Sequence, residues 1–455
     1  MKLMTFKGGI HPPEYKEQTE DKPIIICPIP PKIYLPMSQH IGMPAKCLVK
    51  EGDKVKAGQK IGEAESFISA PIHASVSGVV EKIGPYPHFT GKDFECVIIV
   101  PDSEQEEIRQ KSEDLNILPS PEQIRSAVKE AGIVGMGGAA FPTSVKLTPP
   151  PDVNIDAVII NGCECEPFLT ADHRLMLERT DDLIDGLRLI MHCVGANQGY
   201  IGIENNKPNA IEKVSAYLAR KVPEWAVKMN IEVCPLKTKY PQGGEKQLIF
   251  AILNRKVPAR KLPSSVGALV QNVGTAIAIS EAVRIKKPLI DRIITVTGPA
   301  IRDPQNLRVK LGTTVSWLIK VCHGFSKPSA KEIMGGPMTG FALTNLDVPV
   351  VKGTSGVIAL TKDIAELPGY SRLHCVGCGK CADICPMFLV PSLLGRYSEN
   401  KKYQDADEAG VMDCIECGSC VFTCPARIPL VQLIREAKGA ILSKKRRVKK
   451  DGEGK

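Results

Sequence analysis

Eight cysteines near the C-terminal end are spaced for metal rather than for disulfides. Cys375, Cys378, Cys381 and Cys385 form a Cys-x2-Cys-x2-Cys-x3-Cys run closed by Pro386, and Cys414, Cys417, Cys420 and Cys424 repeat it ahead of Pro425. A cubane iron-sulfur cluster presents four iron corners; a short loop can wrap three, and a cysteine from elsewhere closes the fourth. Pairs of Cys-x2-Cys alone would equally suit structural zinc. Two four-thiol runs of identical spacing, each ending in Cys-Pro, point instead to two 4Fe-4S clusters and so to one-electron transfer. The chain has 16 cysteines, and crowding half of them into one stretch of a cytoplasmic protein fits metal better than disulfides.

A second group of residues could seat a phosphate. Gly135-Met136-Gly137-Gly138-Ala139-Ala140-Phe141-Pro142-Thr143, with Lys146 beyond, is a glycine-rich turn followed by a cation. Backbone amides exposed by glycines can cradle a phosphate, and a lysine can neutralise it. Glycines also mark close backbone packing, and short glycine patterns arise by chance. Three further segments follow: Asn161-Gly162-Cys163-Glu164-Cys165-Glu166-Pro167, then Tyr240-Pro241-Gln242-Gly243-Gly244-Glu245, then Val270-Gln271-Asn272-Val273-Gly274-Thr275.

In this order the segments resemble the flavoprotein subunit of respiratory complex I, the NADH-oxidising FMN protein, over about residues 121–360. The resemblance implies non-covalent FMN held by Gly135, Gly137, Gly138, Lys146, Asn161, Tyr240, Gly243, Gly244, Gln271 and Asn272. It implies NAD(H) as substrate, with Phe141 stacking on the nicotinamide side, Glu166 and Glu245 beside the nucleotide, and no catalytic group beyond the cofactors. The chain departs from the family pattern at Ala140, Cys163, Gly244 and Gln271, where the family has glycine, aspartate, glutamate and asparagine. The cysteine runs resemble bacterial two-cluster ferredoxins, in which the fourth cysteine of each run serves the other cluster. That implies one cluster on Cys375, Cys378, Cys381 and Cys424, and the other on Cys414, Cys417, Cys420 and Cys385.

Elements of several kinds must position these groups, giving a multidomain α/β and α+β chain. Residues 20–100, rich in Pro, Gly and β-branched types with turns at Glu51-Gly52-Asp53, Ala57-Gly58 and Ser77-Gly78, read as a small all-β domain. They resemble the barrel-sandwich hybrid fold of biotinyl and lipoyl carriers, but the tip Ser66-Phe67-Ile68-Ser69 has no lysine to modify. A polar linker is expected from Asp102 to Ser120, then a helix opened by Pro121. Apolar runs at Ala157–Ile160 and Tyr200–Ile203, separated by one long helix over Thr170–Cys193 and followed by another over Asn209–Arg220, predict a parallel sheet. Short β runs then return. The expected domains are a barrel-sandwich over 1–110, an FMN- and NADH-binding α/β domain over 118–288, a soluble-ligand-binding β-grasp over 289–362, a helical dicluster ferredoxin domain over 363–440 with a helix inserted between its cysteine runs, and a disordered basic tail over 441–455.

This order of parts resembles the C subunits of the Rnf family, membrane-bound ion-translocating ferredoxin:NAD oxidoreductases. The resemblance implies an oxidoreductase component of a translocase, peripheral on the cytoplasmic side of the inner membrane. Its partners would be the other membrane subunits of the Rnf complex, ferredoxin and NADH or NAD. A cobalamin reductase built from related parts is the alternative, disfavoured by the N-terminal placement of Gly52–Val80; a scaffold without turnover is another. Composition agrees with a globular electron carrier: 43% hydrophobic and 24% charged residues exclude a disordered chain. Of the net charge of +9, the stretch Gly439–Lys455 supplies +5, so the body carries only +4 and a nucleic-acid partner is not expected. No secretory signal precedes Gly8, and Leu262–Ser280, with Pro263, Gln271 and Asn272, would make a poor membrane span.

Overall fold

The computed structural model describes residues 3–105, 117–220, 226–365 and 373–453. Most of the linker expected between Asp102 and Ser120 lies outside the described residues.

The small β domain forms as two antiparallel sheets. One has the order Ile33–Pro36, Asp93–Pro101, Gly78–Pro87, Lys54–Val55, and the other Lys46–Cys47, Lys60–Glu63, Ile72–His73. Inward β-branched residues such as Ile33, Ile61, Ile72 and Ile99 are fully buried and fill the space between the sheets. Gly78 is obligatory here, because a Cβ would sit 2.1 Å from the Val100 carbonyl oxygen.

The next unit is a four-stranded parallel sheet in the order Asn230–Leu236, Gln198–Glu204, Ala157–Gly162, Ala268–Asn272. The chain builds outward from Ala157–Gly162 on one side, then returns to add Ala268–Asn272 on the other. Strand order therefore reverses between those two strands, and in open α/β sheets the crevice at such a reversal, beyond the carboxyl ends of the strands, is where ligands bind. Register puts Asn161 beside Asn272 at that edge. The helix Pro121–Glu130 starts on a capping box between Ser120 and Gln123. The single helix expected over Thr170–Cys193 is in fact two, Ala171–Glu178 and Thr180–Val194, interrupted at Arg179 with φ −129° and ψ 36°. The guanidinium of Arg179 bonds both Asp182 and Glu281, tying the break to the helix Val273–Arg284. The expected helix at Asn209–Arg220 forms as Pro208–Leu218.

The third unit is a six-stranded sheet in the order Ile24–Ile26, Gln305–Lys310, Asp291–Thr297, Gly356–Leu360, Lys331–Met334, Phe341–Ala342, accompanied by the helix Val315–Val321. Its edge strand Ile24–Ile26 comes from ahead of the barrel and pairs in parallel with Gln305–Lys310.

The cysteine-bearing unit is helical. Between the two runs lie Pro391–Glu399 and Tyr403–Glu408, so the inserted segment is a helix pair. Both pack on the helix Leu430–Glu453 through a core of Leu394, Ala406, Val411, Ile434, Ala437 and Ile441. That last helix, which runs to Glu453, corrects the expectation of disorder over residues 441–453; Gly454 and Lys455 lie outside the described residues. Packing of Ile434, Ala437 and Ile441 nucleates the helix, and lysine and arginine, being good helix formers, carry it to Glu453.

Candidate functional site

The glycine-rich loop closes on itself at the carboxyl edge of the parallel sheet. Gly135 N–H donates to the Phe141 carbonyl (2.8 Å), and Met136 N–H donates to Thr275 Oγ1 (2.9 Å). Between these ties Gly137 and Gly138 are exposed. A Cβ on Gly137 would lie 3.0 Å from Asn272, whereas a Cβ on Gly138 would meet nothing within 4 Å. Ala140, where the family has glycine, is held at φ 51°, and its carbonyl accepts the Ile41 amide of the barrel domain at 3.3 Å.

The opposite wall comes from the two strand ends and the Tyr240 loop. Asn161 Nδ2 donates to the Gly243 carbonyl (2.8 Å), and Asn161 Oδ1 accepts the Cys163 amide (3.2 Å). Asn272 caps the helix Val273–Arg284 by accepting from Gly274 N–H, and its Nδ2 donates to Asp172 Oδ2 (2.6 Å). Lys146 Nζ donates to Glu245 Oε1 (2.7 Å) and to the Val270 carbonyl (2.9 Å). The lysine and the glutamate expected on two different ligands are thus one ion pair at the cleft. Gly244 caps the helix Glu245–Leu253.

Two of the expected residues also bond outside the loop. The Tyr240 hydroxyl is spent on the Cys417 carbonyl (2.7 Å). Glu166 accepts Met338 N–H (2.9 Å) and the Thr339 hydroxyl (2.5 Å) from a β-grasp loop whose Gly336 has no room for a Cβ. Burial raises the Glu166 carboxyl above the usual range. Phe141 is half-buried in the loop itself.

These residues fit a phosphate-bearing planar group. Thr143 Oγ1 and Gln271 Nε2 nearby are buried without a hydrogen-bond partner among the described residues. Gly137 and Gly138 are exposed, and a Cβ on Gly138 would meet nothing within 4 Å, which leaves the backbone of the loop open to an anion.

Sequence reasoning missed Asp172, which fixes Asn272. Burial and the neighbouring Glu164 charge push its carboxyl up to about 7. The folded chain therefore holds a proton between about pH 4 and 7 that the unfolded chain does not. The stability contributed by protonated Asp172 is full below the unfolded value and is lost as pH rises through about 7. Asp172→Asn is expected to raise the urea midpoint at pH 8 relative to the parent and to flatten its decline between pH 5 and 8; an unchanged pH profile would count against a protonated Asp172.

The cysteine runs share one backbone trace. Gly379 and Gly418 occupy the same place in each run, with φ 75° and 79°, and each heads a short helix, Lys380–Asp383 or Ser419–Thr423. Gly377 and Glu416, two residues earlier, are also left-handed, so successive amides turn inward as in an anion nest. Cys385, Cys414, Cys417 and Cys420 line a single cavity with Leu389 and Val431. Leu389 N–H points at Cys385 Sγ and Glu416 N–H at Cys414 Sγ, both at 3.4 Å. Burial raises the Cys385 and Cys420 thiols and pushes Cys414 up to about 11, so thiolates there call for a cationic partner, which iron would be. Cys375 and Cys378 are exposed, while Cys381 and Cys424 are each partly buried against the cluster of Cys420, Ala426 and Ile428. Leu373 N–H donates to the Ala426 carbonyl (3.2 Å), bringing the start of the first run to the end of the second.

Cleft and cavity adjoin. Besides Tyr240, Gln247 Nε2 donates to the Pro386 carbonyl (3.2 Å), one residue from Cys385. No sequence signal marked Gln247.

Comparison with known proteins follows the same divisions. Residues 4–104 match the RnfC barrel sandwich hybrid domain, 128–281 the Nuo51 FMN-binding domain, 293–342 the SLBB domain and 368–425 the 4Fe-4S dicluster domain. The chain is 46% identical over 439 residues to the C subunit of the proton-translocating ferredoxin:NAD(+) oxidoreductase complex of Clostridium ljungdahlii, covering 96% of this chain and 94% of the relative. It is 44% identical over 450 residues to the C subunit of the Na(+)-translocating counterpart of Acetobacterium woodii, covering 97% and 98%. The C subunit of the ion-translocating oxidoreductase complex of Rhodobacter capsulatus is 41% identical over 98% of this chain and 85% of its own length. Among solved structures, an NAD+-reducing NiFe hydrogenase in the H2-reduced state shares the fold at 18% identity, with a TM-score of 0.50 over 72% of this chain and 63% of that one.

Proposed function

The chain belongs to the C-subunit family of ion-translocating ferredoxin:NAD(+) oxidoreductase complexes, and from that membership we propose that it exchanges electrons between NAD(H) and its partner subunits through FMN and two 4Fe-4S clusters. The observation that carries this reading is the junction at Tyr240 and Gln247, which joins the glycine-lined cleft to the four-cysteine cavity. A nicotinamide gives up two electrons at once and an iron-sulfur cluster takes one, so a flavin between them supplies the conversion.

In this reading Gly135, Gly137, Gly138, Asn161, Gly243, Gln271 and Asn272 line the flavin seat, and Phe141 flanks the nicotinamide side. Lys146 and Glu245 act as a pair at its rim. Glu166 holds the β-grasp loop at Met338 and Thr339 beside the cleft. Cys414, Cys417, Cys420 and Cys385 hold the cluster next to the flavin domain. Cys375, Cys378, Cys381 and Cys424 hold the one nearer solvent, which makes Cys375 and Cys378 the side presented to an electron partner.

The test is an anaerobic count: about eight irons and eight labile sulfides per chain, one flavin, and visible bleaching by NADH. Zinc without sulfide, or a chain that binds no flavin, would refute the reading.

No helix among the described residues is long and apolar enough to cross a membrane, which fits attachment through other subunits on the cytoplasmic face. The basic end would add to that attachment. Each lysine or arginine close to an anionic leaflet contributes ~1 kcal/mol, an effect that salt screens. Truncation after Ser443 is therefore expected to leave iron and flavin content unchanged while lowering sedimentation with anionic vesicles at low salt. Equal sedimentation of both forms at every salt concentration would show the end to be only solvated charge.

A further inference from the structure

Residues 4–20 fall within the stretch matched as barrel sandwich, yet their bonds lead to the cleft and to the cysteines. Met4 bridges to Leu236 alongside the strand Asn230–Leu236. Thr5 Oγ1 donates to Gln242 Oε1 (3.3 Å), and Lys239 Nζ donates to the Phe6 carbonyl (3.0 Å) while lying 4.6 Å from the centre of its ring. Gly9 N–H donates to the Ile384 carbonyl (2.8 Å), next to Cys385, and Ile10 exchanges two backbone hydrogen bonds with Tyr240 (2.8 and 2.9 Å). Further on, the Glu14 carbonyl accepts Phe168 N–H (2.8 Å), and the Tyr15 ring stacks on Phe168 at 4.8 Å. Lys16 is buried, and its ammonium donates to the carbonyls of Glu164 and Glu166 at 3.0 Å and to that of Leu169. An ammonium has three protons, so each is committed to the loop that carries Glu166. Thr19 bonds Thr170 (2.7 Å).

We propose that residues 4–19 are a positioning strap that registers the flavin cleft against the cavity of Cys385, Cys414, Cys417 and Cys420. This rests on the functional reading above. At one end the strap arches the loop 163–169 over Lys16. In the middle it clamps the Tyr240 loop, whose Gly243 carbonyl meets Asn161 and whose tyrosine hydroxyl meets Cys417. At Gly9 it reaches the run that ends at Cys385. One continuous segment thus holds the cleft wall, meets the first cysteine run directly and reaches the second through Tyr240. Gly9 is the most constrained point. It sits at φ 78°, and a Cβ would come within 2.6 Å of the Tyr240 carbonyl and 2.8 Å of the Phe6 ring, so a side chain there must lift the strap.

The test uses the full chain loaded with flavin and clusters, comparing the parent with Gly9→Val. Hydrogen exchange at the amides of position 9, Ile10 and Tyr240, which the strap's bonds to Ile384 and Tyr240 protect, is expected to rise about tenfold, the factor set by losing a buried backbone hydrogen bond. Iron and flavin content should stay at the parent level. On mixing with NADH, flavin bleaching should keep the parent's rate, while the slower bleaching of the clusters slows. Unchanged exchange, or equal slowing of both phases, would overturn the strap. If Gly9→Val does not accumulate as folded protein, Lys239→Met, which cuts only the tie to Phe6, carries the test: parent-like exchange and parent-like cluster bleaching would overturn it. A parent protein whose flavin does not respond to NADH would refute the functional reading instead, and the exchange result alone would then decide the strap.

Discussion

Replacing Cys385 with alanine is expected to halve the iron content, from about eight to about four per chain, and to remove the cluster of Cys414, Cys417 and Cys420 while sparing the cluster built on Cys385's own neighbours in sequence. Three cysteines of the second run and Cys385 line one cavity, and Cys385 is buried there while Cys375 and Cys378 are exposed. The turn after Cys385 explains the separation. Pro386 directs the chain away from its own loop, and Leu389 N–H folds back onto Cys385 Sγ at 3.4 Å, which fixes the sulfur toward the second run. Cys424→Ala should do the reverse, leaving the buried cluster and removing the exposed one. Electron paramagnetic resonance of the reduced variants distinguishes the two, because the buried and exposed sites differ in solvation and in hydrogen bonds to sulfur, which set their potentials. If Cys385→Ala instead loses the signal that Cys375→Ala loses, each run ligates its own cluster and the cross-pairing is wrong.

How much of this was legible in the amino-acid order depends on whether the cause is local. The repeat of cysteine spacing is local, and the matching left-handed glycines at 379 and 418 show why it survives folding. The strands Ala157–Gly162 and Gln198–Glu204 were likewise readable, since apolar β-branched runs bounded by polar residues specify a buried parallel strand. Other features are set by distant partners. Arg179 sits at the break between two helices, and its guanidinium bonds Glu281 on a third helix, a tie that the local sequence does not contain. Glu166 is expected beside the nucleotide by resemblance, and its bonds from Met338 and Thr339, about 170 residues away in sequence, could not be read from the sequence. Composition suggested disorder for the end of the chain because it counts charge and cannot see that Ile434, Ala437 and Ile441 already anchor the helix. The strap is the extreme case: Lys16 and Gly9 carry no motif, and only the fold brings them to the loop 163–169 and to Ile384.

Gly138→Val is expected to abolish flavin retention, with affinity falling by about a hundredfold or more, while the apo chain keeps the parent's thermal midpoint. The argument rests on the contrast with Gly137. A Cβ at Gly137 would press at 3.0 Å on Asn272, a side chain that cannot yield because Asp172 and the Gly274 amide hold both of its ends. Gly137→Val should therefore cost about 1–3 kcal/mol of stability through overpacking. At Gly138 nothing lies within 4 Å of the same atom, and the residue is not in the left-handed region, so the fold accepts a side chain there. The space it would fill is the open side of the loop, where Gly138 is exposed. Filling that space with an isopropyl group removes room for a ligand without disturbing the protein, so flavin loss and stability loss separate between the two variants. Fluorescence titration with FMN and thermal unfolding of the cofactor-free proteins measure both quantities. Parent-like flavin binding by Gly138→Val would move the flavin seat away from this loop and leave its glycines to close packing alone.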